Sequence, residues 1–167
     1  DKADDPESSY VEDIFKKHLS YALAKVNTMC NKDNDRMRWK MLKISIYEWS
    51  YDFVNAIAEY NKIEKEYGAA AMIYYYRSQC YNEIGDSAKA IEDITKCIEM
   101  GDGRDYYALA ERADFYREAG RYDEAIVDFS TMIDIAPMSA YAYYKRGWCY
   151  ELKGDDKTAM ENYNAGI

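Results

Sequence analysis

Residues 71–98 read AMIYYYRSQCYNEIGDSAKAIEDITKCI, residues 106–133 read YYALAERADFYREAGRYDEAIVDFSTMI, and residues 140–167 read AYAYYKRGWCYELKGDDKTAMENYNAGI. Laid over one another they share a period, because Gly85, Gly120 and Gly154 stand 35 and 34 residues apart. Four residues before each glycine is a tyrosine (Tyr81, Tyr116, Tyr150), and seven before is a small residue (Ser78, Ala113, Gly147). Five after is an alanine (Ala90, Ala125, Ala159), nine after comes Ile94, Phe129 or Tyr163, and thirteen after comes Ile98, Ile133 or Ile167. Apolar residues at steps of three and four put a stripe along each of two helices, and the glycine offers the left-handed turn that ends the first. Each pair alone leaves a face bare, so pairs must stack. The alanine and the small residue let two helix backbones approach closely where they cross.

A weaker copy lies upstream. Tyr51 stands where the glycine would be, 34 residues before Gly85, with Tyr47, Ala56, Tyr60 and Ile63 in the tyrosine, alanine, aromatic and apolar slots. Residues 37–70 therefore read as a degenerate first repeat, ahead of clear repeats at 71–105, 106–139 and 140–167. A bulky residue is strained at positive φ, so one continuous bent helix is the alternative at Tyr51. Ser9 with Glu12 forms a capping box that opens a helix carrying Val11, Ile14, Phe15, Ala22, Val26 and Met29 on one side. Ala22 falls one period before Ala56, so residues 9–35 read as an N-terminal capping helix, and the charged residues 1–8 read as a frayed, disordered tail. Together these predict one domain with helices near 10–30, 36–50, 52–66, 71–84, 87–100, 106–119, 122–135, 140–153 and 156–167. The last repeat stops inside its second helix, which is read as a stack that continues or is covered by another molecule.

The period, the glycine, tyrosine, alanine and aromatic slots, and Pro137 in the terminal slot of one repeat resemble the tetratricopeptide repeat family. The resemblance spans about residues 37–167. In the repeat before Pro137, GDGRD at 101–105 replaces the terminal proline, and Tyr74, Leu109 and Tyr143 fill the large-residue slot of the first helix. It implies an all-α, right-handed α-solenoid of antiparallel helix pairs that acts as a non-catalytic scaffold. It also implies a concave groove, lined by the first helix of each repeat, that holds an extended segment or helix of a partner protein. Carried over by spacing, the groove includes Trp49, Tyr75, Gln79, Tyr107, Asp114, Tyr141, Tyr144 and Trp148, with Glu48, Glu83, Glu118 and Glu151 among them. Tyrosine and tryptophan often dominate interface energetics, which makes these rings the candidate anchors, although rings at such positions also pack between repeats. Where some relatives use Lys and Asn to grip a chaperone's C-terminal tail, Met41 and Ser45, or Tyr75 and Gln79, stand here, so that tail is not expected as partner.

One departure from the family pattern recurs. Eight residues before each glycine slot stand Lys43, Arg77, Arg112 and Arg146, and eight after stand Glu59, Asp93, Asp128 and Asn162. Opposite charges at matched places on the two helices of a repeat predict an ion pair in three of the four.

Composition narrows the partners. The net charge of −9 argues against nucleic acid and anionic membranes, which need clustered Lys and Arg, and favours a basic or neutral protein segment. No apolar stretch reaches the roughly 20 residues that span a bilayer. The chain begins at Asp1, so a removed upstream segment stays open and the compartment is not read, with the cytoplasm slightly favoured. Cys30, Cys80, Cys97 and Cys149 form no CxxC pair and have no histidine cluster, so they read as small buried apolar residues, with two disulfides as the alternative. His18, the single histidine, sits on the apolar side of the capping helix and reads as a packed core residue rather than a catalytic one. No GxxxxGK[ST], GxGxxG or HExxH string occurs, so no catalytic residue, metal or cofactor is assigned. A spacer or self-association module, with the binding or catalytic role in flanking regions, is the other reading.

Overall fold

The computed structural model describes residues 6–32 and 36–167, with side chains described from Asp13 onward. Among these residues there are nine helices and no strand: α1 (Pro6–Lys32), α2 (Arg36–Trp49), α3 (Phe53–Tyr67), α4 (Ala71–Glu83), α5 (Ser87–Met100), α6 (Tyr106–Glu118), α7 (Tyr122–Ile135), α8 (Ala140–Leu152) and α9 (Asp156–Ala165). They divide into two compact units, one ending at Gly68 and one beginning at Ala69. Helix α1 starts at Pro6, ahead of the Ser9 box, whose side chains lie outside the described residues, as do residues 1–5 altogether.

The turns explain why the helices end where they do. At Gly85, Gly120 and Gly154, φ is 78°, 74° and 80°, the left-handed conformation open to glycine. The residue after each glycine donates its backbone N–H to the carbonyl of the recurring tyrosine: Asp86 to Tyr81, Arg121 to Tyr116 and Asp155 to Tyr150, at 2.8–2.9 Å. This closes the last turn of each first helix. Tyr51 adopts the same conformation at φ 59°, and Asp52 donates to the Tyr47 carbonyl at 2.8 Å. The degenerate repeat thus breaks into two helices rather than bending as one. Asp52, Asp86 and Asp155 then cap the following helices by accepting from the backbone N–H three residues on.

In the first unit α1 packs on α2 and α2 on α3. Val26, Ile44, Ala56, Tyr60 and Ile63 are buried, and the Tyr60 hydroxyl donates to Glu48 at 2.8 Å. His18 is exposed rather than packed in the core, because among the described residues the main packing of α1 is against α2 and leaves this side chain uncovered.

In the second unit α4–α5, α6–α7 and α8–α9 form the pairs, joined through α5–α6 and α7–α8. One continuous core runs through them, from Tyr74 and Ile94 by way of Leu109 and Phe129 to Ala142 and Cys149. The crossing of each pair is tight. Ser78, Ala113 and Gly147 are buried, and at Gly147 the missing side chain leaves room for the ring of Tyr163 on the second helix. A Cβ on Gly147 would lie 2.7 Å from the Tyr163 ring and 3.1 Å from the Ala159 carbonyl, so only glycine admits the larger ring. Cys80, Cys97 and Cys149 are buried free thiols, and Cys30 is a half-buried one.

The recurring charges sit inside this frame. Arg77 donates to Asp93 through Nε at 2.6 Å and Nη2 at 3.0 Å, and Arg112 makes the same forked contact with Asp128 at 2.8 and 2.7 Å. Arg146 Nε donates to Asn162 at 2.6 Å, and Lys43 Nζ to Glu59 at 2.8 Å. All four matched pairs therefore form. Burial alone would raise the Glu59 pKa, but hydrogen bonds from Lys43 and Lys62, and their charges, hold it below its ordinary value. The arginines also reach backwards, to the second helix of the preceding pair: Arg112 Nη1 to Thr95 at 3.3 Å and Arg146 Nη1 to Ser130 at 3.1 Å.

Two outcomes follow from this geometry. Arg112→Met strands a carboxylate that is only 4% exposed and should cost about 3 kcal/mol, most of it regained in Arg112→Met with Asp128→Leu, as read by urea unfolding. Tyr51 is 82% exposed and held at positive φ, so Tyr51→Gly should raise stability by about 1 kcal/mol in the same assay.

Candidate functional site

In the second unit the first helices α4, α6 and α8 share one surface, and side-chain bonds across it show which residues meet. From α4, the Tyr75 hydroxyl and Gln79 Nε2 both donate to Glu111 of α6, at 3.4 and 3.1 Å, and Asn82 donates to Glu118 at 3.2 Å. From α8, Lys145 Nζ donates to both Asp114 oxygens at 2.9 and 3.0 Å, and the Tyr141 hydroxyl donates to Asp114 at 3.3 Å. Arg117, one turn along α6, donates to Asp114 at 3.1 Å, and its guanidinium lies 4.3 Å from the centre of the Trp148 ring. Trp148 thus has a cation over its face, a contact strengthened where water is partly excluded.

The rings differ in what they can offer a partner. Tyr107 is 75% exposed, edge-on to Tyr106, whose hydroxyl is anchored to Ser139 at 2.6 Å. Tyr144 is 55% exposed and lies between the rings of Trp148 and Tyr163, at 6.4 and 5.7 Å. Tyr141 is exposed, while Tyr75 and Trp148 are half-buried. At one end of the surface Met72, Tyr75, Tyr76, Cys97, Asp105 and Tyr107 line a cavity of about 380 Å³. Its floor is the Cys97 thiol, whose pKa burial and then Asp105 push up, so it stays protonated and unreactive at neutral pH.

The hydroxyls are fixed as donors. Burial pushes Tyr75 up to about 12, aided by the charge of Glu111, and Tyr141 up to about 12, aided by Asp114. Tyr163 is likewise raised to about 12 by burial and by its bond to Glu151 at 2.5 Å. Each therefore stays neutral and donating across the physiological range.

Of the residues read from the sequence, Tyr75, Gln79, Tyr107, Asp114, Tyr141, Tyr144 and Trp148 lie on this surface. Trp49 is in the first unit, 69% exposed, with its ring 5.2 Å from that of Phe15 on α1. The reading did not single out Glu111 and Lys145, which organise the surface. Both stand nine residues before a glycine, and a charge at that place in two repeats was the available signal. The charge of Asp114 is balanced by Arg117 and Lys145, which both meet it, whereas Glu111 meets only the neutral donors Tyr75 and Gln79 among the described residues.

Comparison with known proteins matches the repeats directly. A family model described as a tetratricopeptide repeat covers residues 71–100, and one described as a TPR repeat covers residues 113–154. The chain is 32% identical over 78 residues to the F-box/TPR repeat protein pof3 of Schizosaccharomyces pombe, a stretch that is 47% of this chain and 14% of that protein. The crystal structure of MamA superposes with a TM-score of 0.76 at 20% identity, covering 93% of this chain and 90% of that one. YrrB, whose structure is described as a TPR protein with an unusual peptide-binding site, superposes with a TM-score of 0.73 at 18% identity, over 90% of this chain and 77% of its own. At these identities the likeness speaks to the fold, an all-helical array of repeated pairs.

The Asp114 network sets the spacing of α6 and α8. A double-mutant cycle on Asp114→Asn and Lys145→Met should give a coupling of about 1 kcal/mol in unfolding experiments, and a value near zero would mean the two side chains act independently.

Proposed function

We propose that this chain, which belongs to the tetratricopeptide repeat family, is an interaction scaffold that binds an extended segment of another protein along α4, α6 and α8. The observation that carries the reading is the juxtaposition on that surface of exposed rings with Glu111, a carboxylate held by the neutral donors Tyr75 and Gln79. Tyr107 and Tyr144 offer rigid apolar area at low entropic cost, and Glu111 offers a charge still open to a cation. Modules of this family are generally non-catalytic interaction scaffolds, and peptide binding is described for YrrB on the same fold.

The partner segment that fits carries Lys or Arg beside apolar side chains. A cation would sit at Glu111 against the Tyr75 and Tyr107 rings, and an aliphatic or aromatic side chain would enter the cavity beside Met72 and Tyr76. Asp114 serves as an internal brace rather than as the partner's counter-charge, and Trp148 beneath Arg117 offers its edge rather than its face. The charge of the chain steers such a segment towards the surface and adds salt dependence to the association rate.

The test is titration of the chain with two synthetic extended peptides, one alternating Lys with Leu and one alternating Glu with Leu. The Lys peptide should bind more tightly. Tyr107→Ala with Tyr144→Ala should weaken it about tenfold or more with helix content and melting temperature unchanged, and Glu111→Gln should weaken it less. Equal binding of both peptides, or a large fall in melting temperature in the tyrosine variant, would show that these rings serve the repeat stack instead.

A further inference from the structure

Many aromatic rings in this chain face one of its own cations. Lys96 Nζ stands 5.5 Å from the centre of the Tyr74 ring, Lys145 Nζ 5.4 Å from that of Tyr141, and the guanidinium groups of Arg121 and Arg117 stand 4.5 Å from Tyr116 and 4.3 Å from Trp148. The cavity beside Met72 is different. Among the described residues no cation lies over Tyr75, Tyr76 or Tyr107, the rings that line it. Tyr75 and Tyr76 meet at a right angle with centres 5.3 Å apart, and Tyr76 and Tyr107 are exposed.

The same wall carries a carboxylate with an oxygen to spare. Asp105 Oδ1 caps α6 by accepting from the backbone N–H of Tyr107 at 2.9 Å and of Ala108 at 3.0 Å, while Oδ2 accepts no hydrogen bond among the described residues. Its charge is felt across the cavity, since it adds to the upward shift of the Cys97 thiol on the floor and of the Tyr75 hydroxyl. The cations of the neighbouring helices are engaged elsewhere. Arg77 and Arg112 are forked onto Asp93 and Asp128, Lys96 is paired with Glu92, and Arg104, beside Asp105 in the chain, is not part of the lining.

This wall offers ring faces and negative charge but few strong acceptors: a thioether and a thiol accept weakly, and the Tyr75 hydroxyl already donates to Glu111. An unmodified lysine ammonium is compact, strongly hydrated and carries three N–H donors, which such a wall leaves largely unmet. Methylation keeps the charge, replaces donors by apolar surface and suits the cation to ring faces.

We propose that this cavity receives a methylated lysine of the partner segment, its alkylated ammonium among Tyr75, Tyr76 and Tyr107 and opposite Asp105. This rests on the reading of the α4–α6–α8 surface as one that binds a segment, and it specifies the aliphatic side chain that enters beside Met72 and Tyr76. The lysine stem and the methyl groups fill that place, and the charge selects them over leucine. A dimethylated head keeps one N–H for Asp105 Oδ2, whereas a trimethylated head is held by the rings and the charge alone. Glu111 remains the site for an unmodified Lys or Arg of the same segment.

The experiment titrates the full chain with three labelled peptides that alternate Lys with Leu and differ at one central position. That position holds lysine, trimethyllysine, or the uncharged analogue with carbon in place of the nitrogen. Fluorescence anisotropy should show the trimethyllysine peptide binding about tenfold more tightly than the lysine peptide and about fivefold more tightly than the uncharged one. Tyr76→Ala should remove both preferences. Asp105→Asn keeps an oxygen to cap α6, so it should leave the melting temperature unchanged while cutting the preference over the uncharged analogue about threefold. Equal binding of all three peptides overturns the inference and leaves the segment-binding reading standing, whereas binding by none of them overturns both. Equal binding of the trimethyllysine and uncharged peptides also overturns it, because the cavity then selects apolar bulk without charge. So does displacement of the peptide by free tetramethylammonium at the concentration at which the peptide itself binds, since the ligand would then be a small quaternary ammonium compound.

Discussion

The arginine that stands eight residues before each repeat glycine in the second unit holds the most consequential contacts in the fold. Within its own pair it forks onto a buried carboxylate in two repeats and donates once to the Asn162 amide oxygen in the third, and in two repeats it also reaches a hydroxyl on the pair before. Asp93 and Asp128 are almost wholly buried, and a buried carboxylate without its cation is strongly destabilising. The apolar stripes alone would tolerate a helix sliding by part of a turn. The charge does not, because a shift that breaks the fork leaves both groups dehydrated. The guanidinium of each arginine meanwhile lies near a tyrosine ring of its helix, 5.3 Å from Tyr74, 5.8 Å from Tyr116 and 5.5 Å from Tyr143.

That fixed register is what gives the α4–α6–α8 surface its chemistry. The contacts of Glu111 with Tyr75 and Gln79, and of Asp114 with Tyr141 and Lys145, all run between neighbouring first helices. They form only if successive pairs stack at one height. The size compensation between Gly147 and Tyr163 belongs to the same constraint, since it keeps the α8–α9 crossing close despite a ring larger than its counterparts. Tyr163 in turn supports Tyr144, one of the two most exposed rings on that side.

Charge is distributed unevenly, and this matters more than its total. The net −9 falls mostly in the second unit, where residues 69–167 hold eleven Lys and Arg against eighteen Asp and Glu. Individual acids also differ in what remains available. Asp114 is balanced by two cations, while Glu111 accepts only from neutral groups, so two carboxylates a single turn apart on α6 have different uses. Electrostatic complementarity contributes mostly to selectivity and rate.

The repeat was legible in the sequence because its signals are local: a glycine for the left-handed turn, a tyrosine four residues earlier and an alanine five later each act within one helical hairpin. Helix ends, the arginine–aspartate pairs and the division at Tyr51 could be read from the same spacing, although the sequence left open whether a tyrosine would accept positive φ. It does, because the hydrogen bond from Asp52 to Tyr47 and the cap at Asp52 hold the turn from both sides, and the exposed Tyr51 ring meets only the edge of Phe53. The tertiary structure decided what depends on distances between helices far apart in the chain. It exposed His18, paired Asp114 with Lys145 thirty-one residues away, set Arg117 over Trp148, and left Trp49 against Phe15 at the mouth of an apolar groove. A period specifies which face of each helix is apolar, and it says nothing of which polar neighbour arrives across the gap, because that is set by the height and angle at which the pairs stack.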